Sequence, residues 1–188
     1  MKILCEPQVK PEKVLVHICC APDAAYGTMK IAEYFGNIIG FYYNPNIWPH
    51  DEHEKRLRET RKISSLYQFE LIEGDYADSP WYEAIDGLEG EPEKGKRCDG
   101  CIRFRLEASA KLSKNLGAEA FTTVLSVSPK KDVDMINRAG REIGEKYGLF
   151  FIELDLKKKD GFKESVQISK EIGLYRQNYC GCRYSLRT

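Results

Sequence analysis

Three pairs of cysteines carry the most distinctive chemistry in this chain. Cys19 and Cys20 are adjacent, Cys98 and Cys101 form a C-x-x-C, and Cys180 and Cys182 form a C-x-C; a seventh, Cys5, stands apart as a bystander. Thiols this close in sequence can converge on one small centre, as a thiolate-bound metal ion or cluster requires. A single four-thiolate site uses two pairs. Three pairs therefore point either to one site with spectators or to a cluster with a second metal beside it. Asp23, three residues past Cys20, offers such a second metal a hard oxygen ligand. Its other reading is an N-cap for the helix that follows.

Each pair also has a plainer reading. A C-C can be two small core residues, and a C-x-x-C can be a redox dithiol. The latter does not follow the first strand of a βαβ unit as a thioredoxin-type motif would. A C-G-C in an irregular tail is hard to explain by packing. Four thiolates suit structural zinc equally well, but a closed zinc site would leave one pair unused, which favours iron. Disulfides are disfavoured in a reducing compartment, and a cytoplasmic location is the expectation. Met1 to Glu12 contains Pro7 and Pro11 and no continuous apolar stretch, so it does not read as a secretory signal. No apolar run is long enough to span a bilayer, so no membrane partner is expected.

The chain has 188 residues, with 29 Lys and Arg balanced by 29 Asp and Glu. That length suits one domain, here 1–188. Zero net charge argues against binding nucleic acid through bulk charge and leaves room for a local basic rim.

Strand and helix patterns alternate. Lys13 to Ile18 is a β-rich run ending at the first Cys pair, and a helix follows over Asp23 to Phe35. Ile38 to Tyr43 is an apolar strand that stops at Asn44-Pro45-Asn46. A charged helix follows over Asp51 to Gln68, with Asp51 as its expected cap and Glu54 completing a capping box. Phe69 to Ile72 is a short strand and Ser79 to Ile85 a short helix. Cys98 to Asn115 is helical with Gly117 as C-cap, and Ala120 to Leu125 is a strand. A helix over Asp132 to Tyr147, a strand over Leu149 to Leu154 and a helix over Gly161 to Ile172 complete the pattern, with Gly173 as a stop. Leu174 to Thr188 is an irregular tail bearing the last Cys pair. This is an α/β class sequence: a three-layer fold with an open, mostly parallel sheet. Ligands of such sheets sit beyond the carboxyl ends of the strands, where Cys19 and Cys20 fall. Cys98 and Cys101 open a helix, whose N-terminus stabilises thiolates. The tail must then fold back over the sheet.

Several longer stretches resemble one family. These are HICCAPD at His17 to Asp23, FYYNPNIWP at Phe41 to Pro49, and CDGCIRFRLEASA at Cys98 to Ala110. TTVLSVSPKKD at Thr122 to Asp132 and GLYRQNYCGCRYS at Gly173 to Ser185 complete the set. In this order, across nearly the whole chain, they resemble the QueH-type epoxyqueuosine reductases. The resemblance implies a Rossmann-like fold of the HUP class, which includes the PP-loop ATPases. It implies reduction of epoxyqueuosine to queuosine at the wobble position of tRNA, with electrons from a separate donor. It also implies a cysteine-bound [4Fe-4S] cluster and an adjacent mononuclear iron. The phosphate loop of the PP-loop class is absent, because CCAPD stands in its place, and no ATP use is expected.

Removal of the epoxide oxygen takes two electrons and two protons, which two adjacent centres suit better than one. Cys19, Cys20, Cys98 and Cys101 are the expected cluster ligands, and Cys180, Cys182 and Asp23 the expected ligands of the second iron. Exchange of Cys19 or Cys20 into the second site stays open. Tyr179 is the candidate proton donor, whereas His17, inside a strand, reads as a satisfied core histidine. Asn44, Asn46 and Trp48, with Tyr42 and Tyr43, are expected at the entrance for a flipped base, one of the two tyrosines belonging to the core. Lys130, Lys131, Arg176 and Arg183 are candidate phosphate contacts, with Lys157 to Lys159 and Arg187 as weaker ones. Two rival readings are a zinc-stabilised tRNA-binding module and a tRNA thiolation enzyme related to the PP-loop class. A third is a disulfide oxidoreductase.

Overall fold

The computed structural model describes residues 1–186, so Arg187 and the end of the tail lie outside the described residues. The chain opens with strand β1 (Lys2–Cys5), then β2 (Val14–Ile18), helix α1 (Ala21–Phe35), β3 (Ile38–Tyr42), α2 (His50–Tyr67) and β4 (Glu70–Glu73). It continues with α3 (Ser79–Ala84), α4 (Lys96–Asn115), β5 (Ala120–Thr123), a 3₁₀ turn at Val124–Val127 and α5 (Val133–Tyr147). The last elements are β6 (Phe150–Phe151), β7 (Glu153–Asp155), α6 (Gly161–Ile172) and a 3₁₀ turn at Arg183–Ser185.

Five strands form one parallel sheet in the order β4-β3-β2-β5-β6. β2 lies at its centre and every residue of its VLVHI run is buried, as a strand covered on both faces requires. Its side chains alternate. Val14 and Val16 pack toward α1 with Tyr26 and Ile31, whereas Leu15 packs toward α4 with Ile102 and Leu106. Helices α1, α2 and α6 cover one face and α4 and α5 the other. From β2 the chain winds outward through β3 and β4, then returns to β5 on the opposite side of β2. The reversal between β2 and β5 opens a crevice at their carboxyl ends, the usual ligand position of such sheets.

Several boundaries differ from expectation, for identifiable reasons. The run read as one strand over Leu149 to Leu154 divides into two. Ile152 still donates to the Phe121 carbonyl, but β7 then leaves the sheet and pairs antiparallel with β1. β1 itself is mostly exposed and carries little apolar signal. The strand expected to reach Leu125 stops at Thr123, whose hydroxyl accepts from the Leu125 amide at 3.2 Å and starts the 3₁₀ turn. α1 begins at Ala21 with Cys20 at the N-cap position. Asp23 therefore sits in the first turn and does not cap. Likewise Pro49, not Asp51, precedes α2, and Asp51 lies within the first turn. Asp132 does cap α5, accepting from the Met135 amide at 3.0 Å. Gly173 closes α6 in the left-handed region, at φ 72°.

Candidate metal centre

Six of the cysteines line a single cavity of about 180 Å³ at the carboxyl ends of β2 and β5. Each pair arrives on a different element. Cys19 and Cys20 form the link from β2 to α1, Cys98 and Cys101 lie one turn apart at the start of α4, and Cys180 and Cys182 come from the tail. The tail is held in place largely by its backbone. Arg56 of α2, buried and paired with Glu52 at 2.8 Å, donates to the carbonyls of Cys180 at 3.0 Å and Tyr179 at 3.3 Å. The Trp48 amide donates to the Gly181 carbonyl at 2.8 Å. Gly181 has φ 113°, and a Cβ there would lie 2.9 Å from Ile47 and 3.0 Å from the Arg56 guanidinium. Glycine is therefore the residue this close approach tolerates.

Charge is arranged around the thiols in two zones. In the first, Cys19 Sγ lies 3.4 Å from Asp23 Oδ2 and 3.8 Å from Cys20 Sγ. One ligand atom from each of Cys19, Cys20 and Asp23 falls within 4.8 Å of the others. Burial raises the Asp23 carboxyl to about 6, although hydrogen bonds from Cys19 and Cys20 oppose the shift. The Cys19 thiol is pushed well up by its hydrogen bond with Cys20 and by burial. In the second zone, Lys131 Nζ donates to Cys180 Sγ at 2.9 Å. Burial pushes Cys180 up, but the ammonium of Lys131 and the guanidiniums of Arg105 and Arg56 outweigh it and bring the thiol down to about 7. Burial would lower Lys131, yet the Cys180 thiolate raises it. Cys182 is raised to about 11 by burial. Arg105, fully buried one turn beyond Cys101, donates to the Cys101 carbonyl at 3.3 Å and to Asn44 Oδ1 at 3.2 Å. Its charge is kept, despite burial, by the surrounding Cys101, Cys180, Cys19 and Cys98. Six soft sulfur donors, one carboxylate and a cationic wall fit a thiolate-bound iron–sulfur centre with a harder metal beside it.

A family model described as "Epoxyqueuosine reductase QueH" matches residues 14–188. The chain belongs to the QueH family. A Thermotoga maritima protein named epoxyqueuosine reductase QueH is 40% identical over 178 residues, covering 92% of this chain and 90% of its own. A Streptococcus pyogenes serotype M1 protein of the same name is 33% identical over 192 residues, covering 99% and 74%. Among solved structures, the U34-tRNA thiolase NcsA from Methanococcus maripaludis with its [4Fe-4S] cluster superposes with a TM-score of 0.60 at 16% identity. The match covers 93% of this chain and 61% of that one. A predicted subunit of a tRNA methyltransferase from Methanocaldococcus jannaschii gives 0.54 at 13%, covering 85% and 74%. At these identities the structural likeness speaks to the fold: this chain shares an α/β architecture with both.

In this QueH-family chain the remaining expected residues fall into three groups. Lys130, Lys131, Arg176 and Tyr179 line the cavity. Tyr179 donates its hydroxyl hydrogen to the Trp48 carbonyl, and burial raises its phenol to about 12. Trp48 and Arg183 sit on the surface beside the tail, with the guanidinium 4.9 Å from the indole centre. Asn44 and Asn46 do not take the entrance position expected of them. Both are buried, and Asn44 donates to the Ile18 carbonyl at 2.8 Å while accepting from Arg105. It thereby ties the loop after β3 to the end of β2. Tyr42 is fully buried and Tyr43 is half-buried, stacked between Phe41 and Phe104. His17 has its Nδ1 2.9 Å from the Thr123 hydroxyl and its Nε2 3.2 Å from the Tyr43 carbonyl, a satisfied core histidine. Arg56 and Arg105 were not anticipated. The one available hint was spacing, since Arg105 lies four residues after Cys101 on the same helix face.

Proposed function

We propose that this chain reduces epoxyqueuosine in tRNA to queuosine at the cysteine-lined cavity, with an iron–sulfur cluster and an adjacent iron held by the six cysteines and Asp23. As a QueH-family protein it is an epoxyqueuosine reductase, and tRNA bearing that base is its substrate. The observation that carries the assignment of the centre is the convergence of three sequence-distant Cys pairs on one cavity. Asp23 groups with Cys19 and Cys20, which supports those three as ligands of the second iron. Cys98, Cys101, Cys180 and Cys182 are then the four thiolates of a [4Fe-4S] cluster. This exchanges two pairs relative to the division expected from the sequence.

When bound, such a centre supplies single electrons and a Lewis acid for the oxirane oxygen. The chain's own residues prepare the rest. Arg105, Lys131 and Arg56 offset the negative charge that several thiolates place in a buried pocket. Tyr179 is the candidate for proton delivery, with its O–H held in the cavity wall by the Trp48 carbonyl. Lys130, Arg176 and the Arg183–Trp48 pair would grip RNA phosphates and the base that enters. A separate redox protein or small reductant would deliver the two electrons.

The test is anaerobic reconstitution with iron and sulfide, followed by incubation with epoxyqueuosine-containing tRNA and a reductant. Loss of one oxygen from the base, read by mass spectrometry, is the expected result. A colourless protein that binds zinc and leaves the base unchanged would favour the structural-zinc reading.

A further inference from the structure

A second group of ligands lies at the start of α2, built from residues outside the six-cysteine set. His50, His53 and Glu54 stand at helical spacings of three and four residues and so share one face. His53 Nδ1 is 3.4 Å from Glu54 Oε1, and His50 Nε2 is 3.8 Å from the same oxygen. One ligand atom from each of the three residues falls within 4.8 Å of the others. Ligand atoms about 2.0–2.2 Å from a tetrahedral zinc ion stand about 3.3–3.5 Å apart. The spacing is therefore close to a bound geometry without backbone movement.

An independent observation points to a ligand. The His53 side chain is 3% exposed, and among the described residues its buried Nδ1 meets only the Glu54 carboxylate at 3.4 Å, outside good hydrogen-bond geometry. A buried ring nitrogen left unpaired carries a desolvation cost that a coordinated cation would offset. The ring is also fixed in place. Tyr76 packs on it with centroids 4.4 Å apart and covers His50 at 4.7 Å, while Tyr42 meets His53 edge-on and donates to its carbonyl at 3.2 Å. Tyr76 is anchored in turn by its hydroxyl, which donates to the Ile47 carbonyl at 2.8 Å. Aromatic walls of this kind hold the imidazoles in one orientation, as a metal site needs. The positive end of the helix dipole opposes a cation here. Asp51 and Glu52 in the same turn counter it; of the cations that follow on the helix, Lys55 lies over the Tyr175 ring and Arg56 is paired with Glu52.

We propose that His50, His53 and Glu54 form a separate surface site for a divalent transition metal of the zinc class, with open positions for water. Two borderline imidazoles and one hard carboxylate are distinct in chemistry from the soft thiolate cavity. The site would staple the first turn of α2. One turn later the same helix presents Arg56, which holds the cysteine-bearing tail.

The experiment uses the full chain loaded with iron and sulfide, so that the thiols are occupied, and titrates it with Co²⁺. Wild type should retain one equivalent of cobalt with a visible spectrum lacking thiolate-to-cobalt charge transfer. His50→Ala and Glu54→Gln, both at partly exposed positions, should weaken cobalt binding by roughly tenfold or more. Their iron content and circular dichroism should stay unchanged. No retained cobalt in wild type would overturn the proposal. So would a spectrum carrying only thiolate bands, or equal retention in the His50→Ala/Glu54→Gln double variant.

Discussion

Burial holds His17 neutral down to about 3, with the nearby Arg105 guanidinium reinforcing the shift. Its unfolded counterpart titrates near 6.5, so between those values the unfolded chain binds the extra proton and the folded chain does not. The stability that the neutral imidazole contributes is therefore full above about 6.5 and falls as pH drops toward 3. Asp23 works with the opposite sign. Its carboxyl is raised to about 6, so it adds stability on acidification through that value. The His17 share is then read as the difference between wild type and His17→Gln in urea titrations at pH 7 and pH 5. A difference of about 2 kcal/mol in the pH response is expected, and parallel responses would contradict it. Arg105 raises a second question at this scale. It is a buried cation facing Cys101, Cys180, Cys19 and Cys98, and its removal leaves thiolate charge uncompensated in a low-dielectric pocket. Arg105→Met should cut the iron retained after anaerobic reconstitution several-fold. Iron retention equal to wild type would show that the guanidinium is needed for the fold alone.

Among the elements, the tail depends most on a single backbone geometry. Gly181 lies in the left-handed region with Ile47 and Arg56 already in the space a Cβ would fill. Gly181→Ala should cost about 1–3 kcal/mol locally and release the Trp48–Gly181 and Arg56–Cys180 hydrogen bonds. The expected signs are protease cleavage within residues 174–186 and reduced iron content, while the parallel sheet keeps its circular dichroism. Unchanged protease resistance together with full iron content would count against this account of docking. The same element marks how far the sequence could be read. The helix at Gly161–Ile172 was legible to the residue, because its apolar face repeats cleanly and Gly173 ends it. The convergence of the cysteines was legible as well, since one pair follows a strand, another opens a helix and a third sits in an irregular tail whose sequence offers no regular packing face. The inward turn of Asn44 was not, because a polar residue after a strand looks the same whether it meets solvent or the Ile18 carbonyl. Arg56 and Arg105 were hidden for a similar reason. An arginine on a charged helix reads as solvated until tertiary structure buries it.

At the scale of the whole molecule, the sheet order and its crevice are a general binding frame, and the loop after the first parallel strand decides what the frame holds. Phosphates bind helix N-termini through free backbone amides, usually approached over glycine and without a competing anion. Here the link from β2 to α1 is Cys19-Cys20, followed by Pro22, which has no N–H, and Asp23 in the first turn. The Ala24 amide is already spent on the Cys20 carbonyl at 3.0 Å. Asp23 places a carboxylate where a triphosphate would have to sit, and Arg176 and Lys131 lie close enough to favour its charged form. On the proposed assignment the crevice attracts metal through sulfur, where a phosphate site would attract anions through backbone amides. Calorimetric titration of the full chain with Mg-ATP should show no binding, and the rate of epoxide reduction should be the same with and without the nucleotide. Micromolar affinity, or a rate that depends on ATP, would mean that the crevice still admits phosphate and that the assignment of Cys19, Cys20 and Asp23 to a metal is wrong.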